Sequence, residues 1–179
     1  DTATVAANGW PWIQPESGTW SAITNEQPVA VSVMPLNATG NRQTFTATYR
    51  DPNGFGNLRH VQLLVNSALD WMNSCFVLYD RTQDAYAILS DNGGNWSWLG
   101  PLPTDSRENS QCRLYRQYSS VTGAGNDLVV QYDVELKQSY SGTKNINAQA
   151  IDWDLLWSPW LQAGTFGVTG APFTLTPET

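Results

Sequence analysis

The sequence of 179 residues predicts an all-β chain folded as an antiparallel β-sandwich, and three observations carry that prediction. Apolar and polar residues alternate through most of the chain, which is the period of a half-buried strand. Turn-forming residues interrupt the alternation at short intervals. The two cysteines each open an apolar run, so a single pairing is available to them.

The alternation is plain at Thr44, Thr46 and Thr48, which interleave with Phe45, Ala47 and Tyr49. It is plainest from Asp127 to Lys137. There Leu128, Val130, Tyr132, Val134 and Leu136 face one way, and Gln131, Asp133, Glu135 and Lys137 the other. Further strands are expected at Pro28 to Met34, Arg59 to Asn66, Cys75 to Asp80 and Ala85 to Ser90. The series continues at Gln111 to Tyr115, Lys144 to Ile151 and Gly164 to Gly170. Asp51-Pro52-Asn53-Gly54 presets a turn through the fixed φ of proline and the tolerance of glycine for positive φ. Asn92-Gly93-Gly94 and Gly123-Ala124-Gly125-Asn126 carry hairpin chemistry, and Ser139 to Thr143 is another loop. Ser67 to Met72, the one stretch open to a helical reading, is a short crossing loop at best.

The first 27 residues differ from the rest: Pro11, Pro15, Gly9 and Gly18 stand beside Trp10, Trp12 and Trp20, without a strand period. They read as an extended segment, 1–27, ahead of one sandwich domain, 28–179. Only 14% of residues are charged, so the polar surface is built from Ser, Thr, Asn, Gln and Gly, as suits exposed strand faces. A net charge of −7 with scattered basic residues argues against nucleic acid. No apolar run reaches the length of a membrane span. Together these features point to an oxidising compartment, secreted or cell-surface, where Cys75 and Cys112 form a disulfide; the alternative is two buried free thiols.

From about Val29 to Val168 the chain resembles an uncharacterised immunoglobulin-like module of secreted and cell-surface bacterial proteins. The resemblance is carried by Gln43-Thr44-Phe45-Thr46-Ala47-Thr48-Tyr49-Arg50-Asp51-Pro52-Asn53-Gly54 and Cys75-Phe76-Val77-Leu78-Tyr79. Trp98-Leu99-Gly100-Pro101, Asn109-Ser110-Gln111-Cys112 and Gly142-Thr143-Lys144-Asn145 complete it. It implies an immunoglobulin-like sandwich bridged at the two cysteines, with no catalytic activity attached. Two parts depart from the module: the aromatic N-terminal segment, and the stretch Asp152-Trp153-Asp154-Leu155-Leu156-Trp157-Ser158-Pro159-Trp160, where the family has a Gly/Asn/Ser-rich turn.

No catalytic constellation is expected. His60, the single histidine, opens a strand and reads as solvated, and no nucleophile elbow or phosphate loop is present. Asp133 and Glu135 share a polar strand face, where a sandwich ordinarily places charge. Asp51, Asn53, Asp152 and Asp154 lie in two end loops and are candidate ligands for Ca²⁺, which takes six to eight oxygens; the competing account is turn residues capping their own backbone. Otherwise no cofactor is expected.

The nine tryptophans admit three roles. Trp71 and Trp98 are core candidates. Trp96 and Trp98, at i and i+2, and Trp153, Trp157 and Trp160 are candidates for a sugar-stacking platform. Trp10, Trp12 and Trp20 are candidates for contact with an identical subunit or another surface protein. The leading expectation is a structural or adhesive extracellular protein that assembles into a filament through its N-terminal segment; the alternative is a carbohydrate-binding module. Asn37-Ala38-Thr39 and Asn95-Trp96-Ser97 match the glycosylation sequon, which says only that both stretches suit a surface.

Overall fold

Residues 24–170 are described by a computed structural model. Twelve strands form in chain order: β1 (Val29–Met34), β2 (Asn37–Gly40), β3 (Arg42–Arg50), β4 (Leu58–Asn66), β5 (Cys75–Asp80) and β6 (Ala85–Leu89). The second half holds β7 (Trp96–Trp98), β8 (Ser106–Glu108), β9 (Cys112–Ala124), β10 (Asp127–Leu136), β11 (Gly142–Asp152) and β12 (Leu161–Val168). They make two sheets, five-stranded in the order β1-β3-β10-β9-β8 and seven-stranded in the order β2-β12-β11-β4-β5-β6-β7. Every pairing is antiparallel except β2 with β12. The sheets face each other as a sandwich, as the alternation requires, and Ser67 to Met72 is a loop.

The alternation decides which residues lie between the sheets. In β3, Phe45, Ala47 and Tyr49 are fully buried, and in β10 Leu128, Val130, Tyr132, Val134 and Leu136 join them. The seven-stranded sheet answers with Val61, Leu63 and Val65 of β4, Val77 and Tyr79 of β5, and Ile146, Ala148 and Ala150 of β11. Asp133, on the other face of β10, is also buried, where Arg42 grips both its oxygens at 3.1 and 2.7 Å. Glu135 accepts from the Tyr115 hydroxyl. This carboxylate pair therefore serves the five-stranded sheet as ion-pair and hydrogen-bond anchors.

The expectation that Trp71 and Trp98 fill the core is corrected. Trp71 is 57% exposed and Trp98 36%. Tyrosine and phenylalanine occupy the space instead, because a buried phenol brings a donor that the opposite sheet can accept. Tyr49 donates to the Gln62 carbonyl at 2.8 Å and Tyr132 to the Val61 carbonyl at 3.0 Å, so two residues of the five-stranded sheet are tied to β4. Burial pushes both phenols well above the usual tyrosine range.

The strands β2, β7 and β8 are short, and β2 and β8 lack an alternating apolar face. β2 forms because the chain changes sheets after β1 and lies along β12. Gly164 permits that approach, since a Cβ there would stand 2.2 Å from the Leu36 carbonyl oxygen. The predicted hairpins are in place: Ala124 pairs with Asp127 across a turn in which Gly125 holds φ +58°. No helix among the described residues is long and apolar enough to cross a membrane.

Cys75 of β5 and Cys112 of β9 form a disulfide with a Cα–Cα distance of 5.5 Å, joining the two sheets. It closes a loop with a sequence separation of 37, which in the chain-entropy account contributes about 4 kcal/mol. The double variant Cys75→Ala/Cys112→Ala is expected to lose about that amount in a guanidinium titration, as a lowered midpoint at similar slope. An unchanged midpoint would remove the bridge from the account of stability.

Candidate functional site

The outer face of the seven-stranded sheet carries a second, smaller apolar layer. Strand register sets its side chains in cross-strand rows. One row runs Gln149, Gln62, Leu78, Ala87 and Trp98 across β11, β4, β5, β6 and β7. The row on one side contains Asn147, Leu64 and Phe76, with Leu89 paired to Trp96; the row on the other contains Ile151, His60, Asp80 and Ala85. Leu64, Phe76 and Leu89 are buried although they point away from the main core. Trp96 and Trp160 cover them, each against the Phe76 ring at centroid distances of 5.3 and 6.0 Å.

Trp160 reaches that position because the segment after β11 turns back alongside β11 and runs into β12. Ser158 fastens it. Its hydroxyl accepts from the Ala150 N–H at 2.9 Å, its own N–H donates to the Ala150 carbonyl at 2.9 Å, and its carbonyl accepts from the Gln149 amide at 2.8 Å. A bridge between Ile151 and Trp157 extends the attachment. The stretch from Leu155 to Trp160 is thus a wall standing on the β11 side of the sheet, with Trp96 and Trp98 of β7 on the far side.

Between these walls lies a trough in two contiguous halves. The first, about 500 Å³, has Gln62, Phe76 and Gln149 in its lining, with Trp96, Trp157 and Trp160. Trp71 lines it too, lying against Gly93, where φ is +71° and a Cβ would come within 3.1 Å of the indole. The second half, about 470 Å³, shares Gln62, Trp96 and Trp157 and adds Trp98, His60, Asp80 and Arg59. Gln62 and Gln149 are each only 7% exposed. Gln149 is engaged by Ser158, whereas no hydrogen bond joins the Gln62 side-chain amide to another described residue.

Among the described residues, the charged members of the lining belong to the second half. Burial pushes the Asp80 carboxyl up, but the Thr82 N–H and the neighbouring His60 ring outweigh it and hold the group below the usual carboxylate range. Asp80 accepts from Thr82 N, Gln83 N and the Gln83 amide, and lies 3.2 Å from His60 Nε2. His60 is therefore half-buried beside a carboxylate, not the solvated strand end expected of it. Arg59 lies over the Trp153 ring at 5.6 Å.

The calcium candidates separate. Asp51 and Asp152 are fully buried and are brought together through Asn57 and Asn25. Each carboxylate oxygen accepts a hydrogen bond: Asp51 from Asn53 N and Asn57 Nδ2, Asp152 from Leu156 N and Asn25 Nδ2. Burial pushes the Asp51 carboxyl up, against the pull of the Asn53 and Asn57 donors, and the Asp152 and Glu26 charges push it further. Asn53 turns to Glu26 N and the Thr24 carbonyl, while Asp154 is exposed. Among the described residues no group of three or more His, Cys, Asp or Glu is placed to hold a metal. The cluster fastens residues 24–27 to the end loops, so the packed unit already includes the last residues of the stretch read as a separate segment.

Of the sugar-stacking candidates, Trp96, Trp98, Trp157 and Trp160 are brought to one trough; Trp153 stands outside its lining, under Arg59. They form facing walls, not a planar platform. Trp10, Trp12 and Trp20 lie outside the described residues. Sequence reasoning missed Gln62 and Gln149, whose signal was a glutamine inside the apolar runs Val61–Val65 and Ala148–Ile151. No protein-family model matches the chain, and no curated protein does. Ser158→Val is expected to cost about 1–3 kcal/mol, by leaving the buried Ala150 N–H without an acceptor. A thermal melt combined with acrylamide quenching would show it as a lower midpoint and more accessible tryptophans; an unchanged quenching profile would refute the fastening role.

Proposed function

We propose that this protein binds carbohydrate through the tryptophan-walled trough on the outer face of its seven-stranded sheet. Sugar rings present C–H faces that stack on aromatic rings and hydroxyls that need partners able both to donate and to accept. The trough supplies both. The observation that carries the reading is Gln62: an almost buried amide, unengaged among the described residues, in the lining that both halves share with Trp96 and Trp157. A purely apolar protein contact would leave that amide unpaired and desolvated, which is costly. The site is read as binding without turnover, because glycosidic cleavage generally uses two carboxyl groups and, among the described residues, the lining includes one, Asp80.

Retention on insoluble polysaccharides, followed by affinity electrophoresis with soluble ones, tests this reading. Trp96→Ala and Trp157→Ala are each expected to weaken binding at least tenfold, about 1.4 kcal/mol. Gln62→Ala should weaken it roughly 3–10-fold, the worth of one hydrogen bond, with an unchanged thermal midpoint. Tyr118→Ala, an exposed aromatic on the five-stranded sheet, should bind as the parent does. Retention on no glycan, or retention indifferent to these changes, sinks the proposal.

A second reading, adhesive self-assembly through the N-terminal segment, is favoured by one observation. Asn25 donates to Asp152, and Gln27 donates to the Trp157 carbonyl, so residues 25–27 are held at the rim of the trough wall. From there its tryptophans would engage a neighbouring subunit, and a heterologous contact of that kind propagates. Sedimentation of the full chain at rising concentration should show growing assemblies that Trp10→Ala/Trp12→Ala dissolves. A monomer at every concentration would end this reading.

A further inference from the structure

We infer that the ligand is a linear, uncharged polysaccharide that lies lengthwise along the strands, with several consecutive rings in the trough. This rests on the carbohydrate reading and adds the direction, the length and the charge of the chain bound.

Direction follows from the register. Moving from the first half of the trough to the second replaces Phe76 by Leu78 and Asp80 on β5 and Gln149 by Ile151 on β11, and adds Trp98 to Trp96 on β7. Each change is a step along a strand, and successive same-face residues are about 6.6–6.8 Å apart. The trough therefore runs parallel to β4 and β5, between the Trp157 wall and the β7 tryptophans. Walls on both flanks admit an extended chain and leave little room for branches at the rings they enclose.

Length follows from continuity. Each half is by itself within the range of small-ligand pockets, about 300–1,000 Å³. Gln62, Trp96 and Trp157 belong to both, so the two halves are one passage and not two sites. A single sugar leaves half of it empty.

Charge follows from the lining. Among the described residues, the lining of the first half includes no charged one. In the second, Asp80 is occupied by Thr82, Gln83 and His60, and Arg59 by the Trp153 face. Among the described residues no cluster of cations lines the passage, and a protein of net charge −7 repels a polyanion at long range.

The test uses the full chain against matched oligosaccharides and polymers: β-1,4-glucan, β-1,4-mannan and β-1,4-xylan as neutral probes, polygalacturonate and hyaluronate as acidic ones. Affinity for at least one neutral series should rise about tenfold or more from the disaccharide to longer oligomers and then level off, with little dependence on salt. Trp98→Ala, which touches only the second half, should flatten that rise while leaving the disaccharide affinity within about twofold. Preference for an acidic polymer, affinity independent of length, or steep salt dependence would overturn the inference and leave the carbohydrate reading standing. Binding to none of the neutral or acidic glycans overturns both.

Discussion

Burial of β4 on both faces is the constraint on which the rest of the structure depends. Its inner residues, Val61, Leu63 and Val65, lie in the main core, and its outer residue Leu64 is equally buried beside Phe76 and Leu89 under Trp96 and Trp160. Without the outer cover, Leu64 and its neighbours Phe76 of β5 and Leu89 of β6 would face water. Burying each such side chain contributes on the order of 1.5–3 kcal/mol, so the aromatic layer stabilises the fold as well as shaping a surface. The same cover leaves Gln62 with the trough as the opening beside it. Folding and the proposed recognition thus act on one strand, and the residue that links them is the polar interruption in its apolar run.

The opposite sheet fixes where that strand sits. Tyr49 and Tyr132 donate to consecutive carbonyls of β4, and Tyr140 donates to a third at Val65. The disulfide joins β5, the neighbour of β4, to β9. These ties cross the interior at separate points, so the sheets cannot slide over each other without breaking buried hydrogen bonds, which cost more to lose than they contribute when made. Register on the outer face is held by the same ties, because a one-residue slip of β4 would exchange Gln62 for an inward-facing apolar residue.

The sandwich was legible in the sequence because its signals are local. Alternation in β3 and β10, the Gly125 turn and the pair of cysteines each state their structure within a few residues. Of the three missed strands, β2 exists through its alignment with β12 and β8 through its pairing with β9, while β7 alternates over only three residues. The tryptophans show a different limit. Their number announced that they mattered, but side and register decide whether an indole is core or wall. Trp71 and Trp98 were expected inside on the precedent of a buried Trp, whereas tyrosine phenols that reach across to backbone acceptors fill the space. Trp157 and Trp160 were legible as a group, but their facing of Trp96 required the fold-back that Ser158 fastens. Gln62 became visible only when the rows on both sides of it were known.

A surface lined with tryptophans costs solubility unless something covers it, and contiguous apolar patches on a soluble protein mark interaction sites. The arrangement here separates two tasks among the rings. Trp96 and Trp160 are held against Phe76 and give the walls their footing, while Trp157 and Trp98 are 51% and 36% exposed. Indoles fixed in this way lose little rotamer freedom when a ligand arrives, and ordering side chains otherwise costs about 0.5–1.5 kcal/mol each. Weak stacking on preformed walls can then accumulate along a chain of identical units, since each added ring meets a surface already in place. That argument favours a repetitive polymer over a single small molecule, and it also explains why the wall is fastened through backbone and Ser158 contacts to β11 instead of being left as a mobile loop.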